Sequence, residues 1–543
     1  MTAVSRSLER VEVTFDDPSL VADAGLVVPA TLMVRLGLET LLNHTVRLVG
    51  RVGGSRPGRK VLTLVASILA GGSHIDHADR LRAGATERVL PFKVMAPSTL
   101  GTFLRAFTFG HIRQLDAVIA ETLRRAWALG AGPGTASMTI DLDSTICEVY
   151  GKLKQGAAYG YTKVLGYHPI LAGGSHIDHA ERLRAGATRR VLPFRVMAPS
   201  TLGTFLRSFT FGHIRQLDAV IAESLRRAWA LGAGPGTASL TIDVDSTICE
   251  VYGKLKQGAA YGYTKVLGYH PILATRADTG EVLHARLRKG SSLRGTRRFV
   301  EELIARVRRA GATGELTVRA DTGFWSYALV DTLTRLGVHW SVTVAISTQI
   351  RAEIEAIDEA SWQTITYPDG GEAQVAETTI AAGKSRRWET VRLVVRRTRL
   401  TDPAQAQLWP DWRHHAFITD LEGPAVEVDQ FHRDHATVEL AIRDLKEGAG
   451  LEHCPSGRFF ANAAWLACAV LAHNLTRWSA RLGDMHPAER LTVARTVRTR
   501  VIAVPGRLVN RSGRLVLRLP ARWPWAATFT RALDRIRSLP LLI

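Results

Sequence analysis

The sequence predicts an α/β protein: a mixed β-sheet with helices, and an α-helical N-terminal region that contains a tandem duplication. Three observations carry that prediction. From residue 238 onward, short β-branched runs alternate with stretches of helical periodicity, an order that builds a mixed sheet. A Gly/Pro loop, GAGPG at 232–236, cuts that pattern off from a helical segment before it. Residues 68–169 recur almost unchanged as residues 170–271, an offset of 102, and the helical segment lies in both copies.

Each element has its own signal. In the second copy PSTLGTFLRSF follows Pro199, with Ser200 and Thr201 as N-cap candidates. HIRQLDAVIAESLRRAW then places Ile214, Leu217, Ile221, Leu225 and Trp229 at helical spacing. SLTIDVDSTI alternates in part and is β-branched, so it reads as a strand. YHPILATRADTGEVLHARLR reads as a hairpin turning at Asp278-Thr279-Gly280. Residues 296–310 are predicted helical, ELTVRAD at 315–321 a strand, 325–336 a helix, and HWSVTVAI a further strand. The apolar run FFANAAWLACAVLA, residues 459–472, is too short to span a bilayer and contains Asn462, so it is expected to be a buried helix.

The repeat is not a solenoid, whose units number at least three and run to about 50 residues. Its copies differ at seven positions: Asp79/Glu181, Glu87/Arg189, Lys93/Arg195, Ala106/Ser208, Thr122/Ser224, Met138/Leu240 and Leu142/Val244. Ile-Leu-Ala stands at all three junctions, at 68, 170 and 272, as a slip at a short shared sequence would leave it. Removing one copy of 102 leaves 441 of the 543 residues, so the chain reads as a protein of that length carrying a duplicated segment.

Composition narrows the function. With 46% hydrophobic and 22% charged residues the chain is expected to fold into several domains. Lys and Arg number 70 against 50 Asp and Glu, a formal charge of +20, which favours a polyanionic partner. The basic residues are spread along the chain and not gathered on one amphipathic stretch, which disfavours a membrane surface. The four cysteines show no CxxC spacing, so neither a zinc site nor a disulfide framework is indicated. MTAVSRSLER has no signal-peptide core, and a cytoplasmic protein is expected.

The chemistry is carried by acids. Asp243 and Asp245 in TIDVDST are two apart and share a strand face. Asp321 ends ELTVRAD, and Glu439 lies in the helical HRDHATVELAIRDLKEG with Arg443 at i+4 and Lys446 two turns on. Taken singly, a strand-end Asp is a turn residue and Glu439 half of an exposed ion pair. Taken together, three carboxylates from two strands and a helix suit two Mg²⁺ ions, hard cations that prefer oxygen and serve phosphoryl transfer. Lys446 and Arg443 would hold a phosphate there. GKLKQGAAYGYTK, with Lys254, Lys256, Tyr261, Tyr263 and Lys265, interleaves basic and aromatic residues as single-strand contacts do, or is a solvated loop. His176 and His179 in HIDH, with His74 and His77 in the first copy, lack a third ligand nearby and are expected to be structural. The GAGPG loops lack the Gly-Lys-Ser/Thr ending of a phosphate loop, and Cys147 and Cys249 are expected to pack.

Three blocks carry a family resemblance: DVDSTICEVYGKLKQGAAYGYTKVLGYHPILA (243–274), RADTGFWSYALVDTL (319–333) and FHRDHATVELAIRDLKEGAGLEHCPSGRFFANAAWLACAVLAHNL (431–475). Together they resemble the DDE transposases of bacterial insertion sequences, specifically the insertion-sequence 1380 family. The resemblance implies an RNase H-like catalytic domain with Asp245, Asp321 and Glu439 as catalytic acids and ligands of two Mg²⁺ ions, for which Mn²⁺ can substitute. Asp143, the first copy's equivalent of Asp245, and Asp243 are the alternative first acids. The resemblance further implies a β-rich insertion at 347–425, with ETVRLVVRRTRL and HHAFITD as its strands. The family's Glu helix carries Tyr, Arg, Glu and Lys at offsets 0, 3, 7 and 14; Glu439 and Lys446 match, but His432 and His435 stand for Tyr and Arg. Arg433 is the candidate substitute guanidinium.

The expected organisation is then a helical region (1–67), the first copy (68–169) and a helical DNA-binding region (170–237). The catalytic domain's first part (238–346), the insertion (347–425), the Glu helix with the helix after it (426–480) and a C-terminal region (481–543) follow. The function implied is DNA cleavage and strand transfer at inverted-repeat ends, by a homodimer on double-stranded DNA. A DNA-binding protein without catalysis is the alternative, supported by the duplication and the two histidines.

Overall fold

A computed structural model describes residues 12–126 apart from 24–25, 49, 51 and 71–74, five short strands within 143–171, and residues 199–540 apart from 252–255, 262–265, 290–294, 368–370, 382–388, 400–411, 453, 455, 486–492 and 513. The chain divides into two compact units, residues 1–199 with 498–530, and residues 200–497 with 531–543.

The first unit opens with a strand, β1 (Glu12–Asp17), where the sequence predicts helices. β1 pairs in parallel with Arg514–Pro520, itself antiparallel to Arg507–Arg511, so the small sheet draws on both ends of the chain. A six-residue strand whose partner lies at the other terminus leaves no local signal. Helices α1 (Val27–Arg35), α2 (Leu38–Thr45) and α3 (Pro57–Leu69) follow, with α4 (Pro97–Arg105) and α5 (Phe109–Ala126) from the first copy. Leu42, Leu62, Ala66, Phe92, Phe103 and Val118 share one apolar core. Asp143–Ser144 of the first copy pairs with Ile170–Leu171 in a separate two-stranded sheet.

The second unit starts with the second copy's helices, α6 (Pro199–Arg207) and α7 (Phe211–Ala228). As predicted, the glycine loop ends α7: Gly232 takes φ +104, open to glycine without strain. The sheet strands are β2 (Leu240–Ser246), β3 (Ile272–Arg276), β4 (Val282–Arg286), β5 (Leu316–Ala320) and β6 (His339–Val344). Between them run α8 (Thr296–Ala310) and α9 (Tyr327–Arg335), both within a few residues of the sequence prediction. The insertion supplies β7 (Gln363–Ile365), β8 (Glu372–Ala381), β9 (Thr390–Arg399) and β10 (Arg413–Thr419). It does not stand apart: all nine strands form one sheet ordered β4-β3-β2-β5-β6-β10-β9-β8-β7. Only β2–β5 and β5–β6 are parallel.

Alternation along β2 sorts its two faces. Leu240, Ile242 and Val244 bury against Phe299, Val300 and Leu303 of α8. Asp243 and Asp245 therefore face the other way, toward α10 (Ala425–Arg433) and α11 (Thr437–Arg443). That layer is closed by α12 (Phe459–Leu482), longer than the apolar run in the sequence because His473, Asn474, Arg477 and Trp478 continue it as buried residues. By length and composition α12 could cross a membrane, but about half of its apolar stretch is buried in the fold. Asn462, the interruption in the run, is fully buried and bonds the Ser456 backbone and the Tyr269 hydroxyl. Asn474 meets both the N–H and the C=O of Val282 at 2.8 Å, and so fixes the β3–β4 hairpin. Gly280 at its tip has φ +65, and a Cβ there would stand 3.1 Å from Arg477.

Candidate active site

The parallel pairing of β2 and β5 aligns Val244 with Ala320, so Asp245 and Asp321 leave neighbouring strands at the same level. Glu439 sits in the first turn of α11, and Arg443 and Lys446 follow on its face. Asp245, Ser246, Thr247, Glu439, Arg443 and Lys446, with Glu447 and Glu452, line one cleft of about 360 Å³. Four of the sequence-predicted site residues are thus gathered in one place.

Asp245 is the electrostatic centre. Its Oδ1 accepts the Ser246 N–H at 2.6 Å. Burial pushes its carboxyl up to about 6, helped by the negative charges of Asp321 and Glu439 and opposed by the Ser246 bond and by His435. Asp321 is exposed, accepts the Thr322 N–H at 2.7 Å, and adds its charge beside His415, whose imidazole burial holds down at about 4.

Asp243, an alternative first acid, has a different task. It is fully buried, and Arg319 grips it with two bonds of 2.7 and 3.0 Å. His435 Nδ1 stands 2.8 Å from the same carboxylate, and Arg319 also reaches the Phe431 carbonyl. The Asp243 carboxylate is committed to a buried guanidinium and an imidazole, and Asp243 is not among the residues that line the cleft. Sequence reasoning missed Arg319, although a signal was there: an arginine inside the apolar strand ELTVRAD must be buried, and a buried arginine needs a carboxylate on the neighbouring strand.

The two histidines that precede Glu439 are built in, His432 on α10 and His435 in the turn of 3-10 helix that joins α10 to α11. His432 is buried between the Ser341 and Thr343 hydroxyls at 2.6 and 3.0 Å and stacks on Phe417 with centroids 4.0 Å apart. Burial drives its imidazole down to about 2, so it is neutral. His435 takes up the Asp243 carboxylate, and the guanidinium at that spot is that of Arg319. Arg433 pairs instead with the buried Asp429 at 2.9 Å and bonds Gln430, away from the residues that line the cleft. Lys256 donates to the Cys454 carbonyl at 2.6 Å. Lys254, Tyr263 and Lys265 lie outside the described residues, as do His74, His176 and His179. His77 is buried against Trp525, and Cys249 lies in the same apolar core as Cys454.

The donor set fits a hard divalent cation in kind: every candidate ligand is a carboxylate oxygen, and their mutual repulsion is what a cation would relieve. Among the described residues no three acids, histidines or cysteines close on a single ion-sized point. Mg²⁺ is commonly bound through one or two carboxylates with water and substrate phosphate completing its shell, so a closed cage of protein ligands is not required of this site.

No curated protein matches the chain. Among solved structures, the cryo-EM structure of a piggyBac transposase synaptic complex with hairpin DNA is similar over 56% of this chain and 55% of that one, at 12% identity and a TM-score of 0.31. The chain thus spans about half the length of that protein. The profile of the family described as "Transposase DDE domain group 1" matches residues 4–191 and again residues 189–541, nearly the whole sequence. The chain belongs to this family of DDE transposases.

Proposed function

We propose that the protein is an insertion-sequence transposase of the 1380 type, which binds inverted-repeat ends as a homodimer and cleaves and joins DNA strands with Asp245, Asp321 and Glu439. The observation that carries this is the shared cleft: Asp245 and Glu439 face Lys446 and Arg443 there, and the charges of Asp321 and Glu439 raise the Asp245 carboxyl. The order β4-β3-β2-β5-β6, antiparallel on one side of β2 and parallel on the other, supports an RNase H-like core. Asp245, Asp321 and Glu439 would hold Mg²⁺ or Mn²⁺, which supplies charge stabilisation and a polarised oxygen nucleophile. Lys446 and Arg443 hold the phosphate of the strand to be cut. Arg319 and His435, by fixing Asp243, keep β2 in register so that Asp245 meets the cleft.

The test is cleavage of a duplex carrying inverted-repeat ends in Mg²⁺, with end binding followed in parallel. Asp321→Ala and Glu439→Ala are expected to lose cleavage and keep binding within about twofold, since these groups hold metal and do not read bases. Cleavage retained in either variant overturns the assignment. An intact protein that binds ends and never cuts them favours the non-catalytic reading that the His432 and His435 departures suggest.

A further inference from the structure

α11 runs on into a single π-helical turn, Asp444–Gly448, which carries two of the residues that line the cleft, Lys446 and Glu447. Turns of this kind are rare and occur mostly singly, often at functional sites. The first residue of this one faces away from the cleft. Asp444 is buried and both of its oxygens are engaged: Oδ2 accepts a guanidinium N–H of Arg477 at 3.0 Å, and Oδ1 accepts the Ala494 N–H at 2.9 Å. Asp444 also explains the glycine that closes the turn, since a Cβ on Gly448 would lie 2.8 Å from Oδ1.

Arg477, on α12, is buried as well, and all three of its nitrogens are engaged. Nε donates to His473 Nε2, one turn earlier on the same helix, at 2.9 Å. Burial holds that imidazole down at about 3, so it is neutral and can accept. One terminal nitrogen reaches Asp444, and the other donates to the Thr279 carbonyl at 2.7 Å. Thr279 lies at the tip of the β3–β4 hairpin, whose first strand pairs with β2 and sets Leu273 beside Asp245. One guanidinium thus ties the turn that carries Lys446 to the hairpin that flanks the Asp245 strand. None of these anchoring groups lines the cleft itself.

Helical geometry turns that anchor into an orientation. Each residue rotates the side chain by about 100°, so two positions on is the far side of the helix. With Asp444 turned into the core, Lys446 is turned out to the cleft. A buried ion pair adds little net stability over apolar packing of the same volume, because desolvation offsets the attraction. What this pair adds is geometry, since the planar fork of an arginine fixes the direction of its partners as an ammonium does not. We propose that Arg477, acting through Asp444, is a positioning residue that aims the Lys446 ammonium at the DNA phosphate. The inference rests on the reading of the cleft proposed above.

Binding of an inverted-repeat duplex by the full-length protein without divalent metal, followed against salt, tests this with Arg477→Lys, Asp444→Asn and Lys446→Ala. Arg477→Lys keeps the charge and loses the fork; Asp444→Asn keeps an acceptor for Ala494 and loses the charge. Each should lower the slope of log affinity against log salt by about 0.9, as Lys446→Ala does, and slow cleavage in Mg²⁺ by about tenfold. In the Lys446→Ala background neither should lower the slope further, nor slow cleavage by more than about twofold. The proposal is overturned if the folded variants keep the parental slope, or if their losses add to that of Lys446→Ala. It is overturned too if neither variant folds, because the pair then holds the whole unit, or if Lys446→Ala leaves the slope unchanged. A parent that binds ends and does not cut them removes the catalytic reading and leaves the comparison of slopes in force.

Discussion

Replacing Asp245 by Asn removes a charge while keeping the shape, and the structure fixes the sign of the result. Its carboxyl is pushed from 3.8 to about 6, first by burial and then by Asp321 and Glu439. Folding therefore favours the protonated form. The stability that the neutral group permits is fully present below pH 3.8 and is lost as pH rises through 6. At about 1.36 kcal/mol per pH step, the ionised side chain costs the fold about 3 kcal/mol at pH 8, a ceiling that solvent at the cleft mouth lowers. Asparagine carries no such cost, and its amide oxygen still accepts the Ser246 N–H. Asp245→Asn should match the parent near pH 4 and unfold about 5 °C higher at pH 8, read by calorimetry without divalent metal. Saturating Mg²⁺ should then raise the parent's transition and leave the variant's in place. A difference that is flat between pH 4 and 8, or a variant less stable at pH 8, refutes the reasoning.

Three further outcomes follow from the same geometry. Lys446→Ala should weaken end binding and lower the slope of log affinity against log salt by about 0.9, one phosphate's worth; an unchanged slope makes Lys446 a surface residue only. Arg319→Met strands a fully buried Asp243 with His435 alone and should cost about 3–5 kcal/mol in urea unfolding; a loss within experimental error removes Arg319 as the anchor of β2. Asp245→Ala should abolish cleavage and Asp143→Ala leave it nearly intact; activity lost only in the double variant would give the first copy a share in catalysis.

The helices α7, α8 and α9 were legible because each buries one face, and burial of one face writes a period of 3.6 into the text. The strands β9 and β10 were expected from the family resemblance, which implied a β-rich insertion there. Their destination was not: a strand's alternation says which side is apolar and nothing about which edge it joins, so the insertion's continuity with the catalytic sheet emerges only from pairing. The site shows the same division. Asp245, Glu439, Arg443 and Lys446 were readable from spacing on a strand and a helix, and they share the cleft. Asp243 and Asp245 were indistinguishable in sequence, since both lie on one face of β2. What separates them is depth, one lying under Arg319 and the other at the strand's end, and depth is a property of the assembled sheet.

That depth also bears on which copy the sheet uses. The repeat ends at residue 271, at the close of the connection from β2 to β3. The short strands of that connection, Cys249–Glu250, Ala260–Tyr261 and Leu267–Tyr269, pair with one another. The second copy thus leads from β2 through an intact connection to Ile272, the first residue of its antiparallel partner. Leu273 pairs with Asp245, Ala274 with Val244 and Thr275 with Asp243, contacts fewer than 35 residues apart that form with little chain closure. In the sequence the first copy ends at residue 169, at the equivalent point, and continues into the start of the second copy instead of into β3. The partner of its Asp143–Ser144 strand is the two-residue strand Ile170–Leu171, a copy of the first two residues of β3. The first copy has neither β4 nor β5 directly after it in sequence. The second copy supplies β2 itself, and all nine strands of the sheet lie beyond residue 239, in one uninterrupted stretch of chain. A duplication of equal length that ended thirty residues later would have copied β2, β3 and β4 together and placed two complete units in competition for one edge of β5, with no local preference to decide between them.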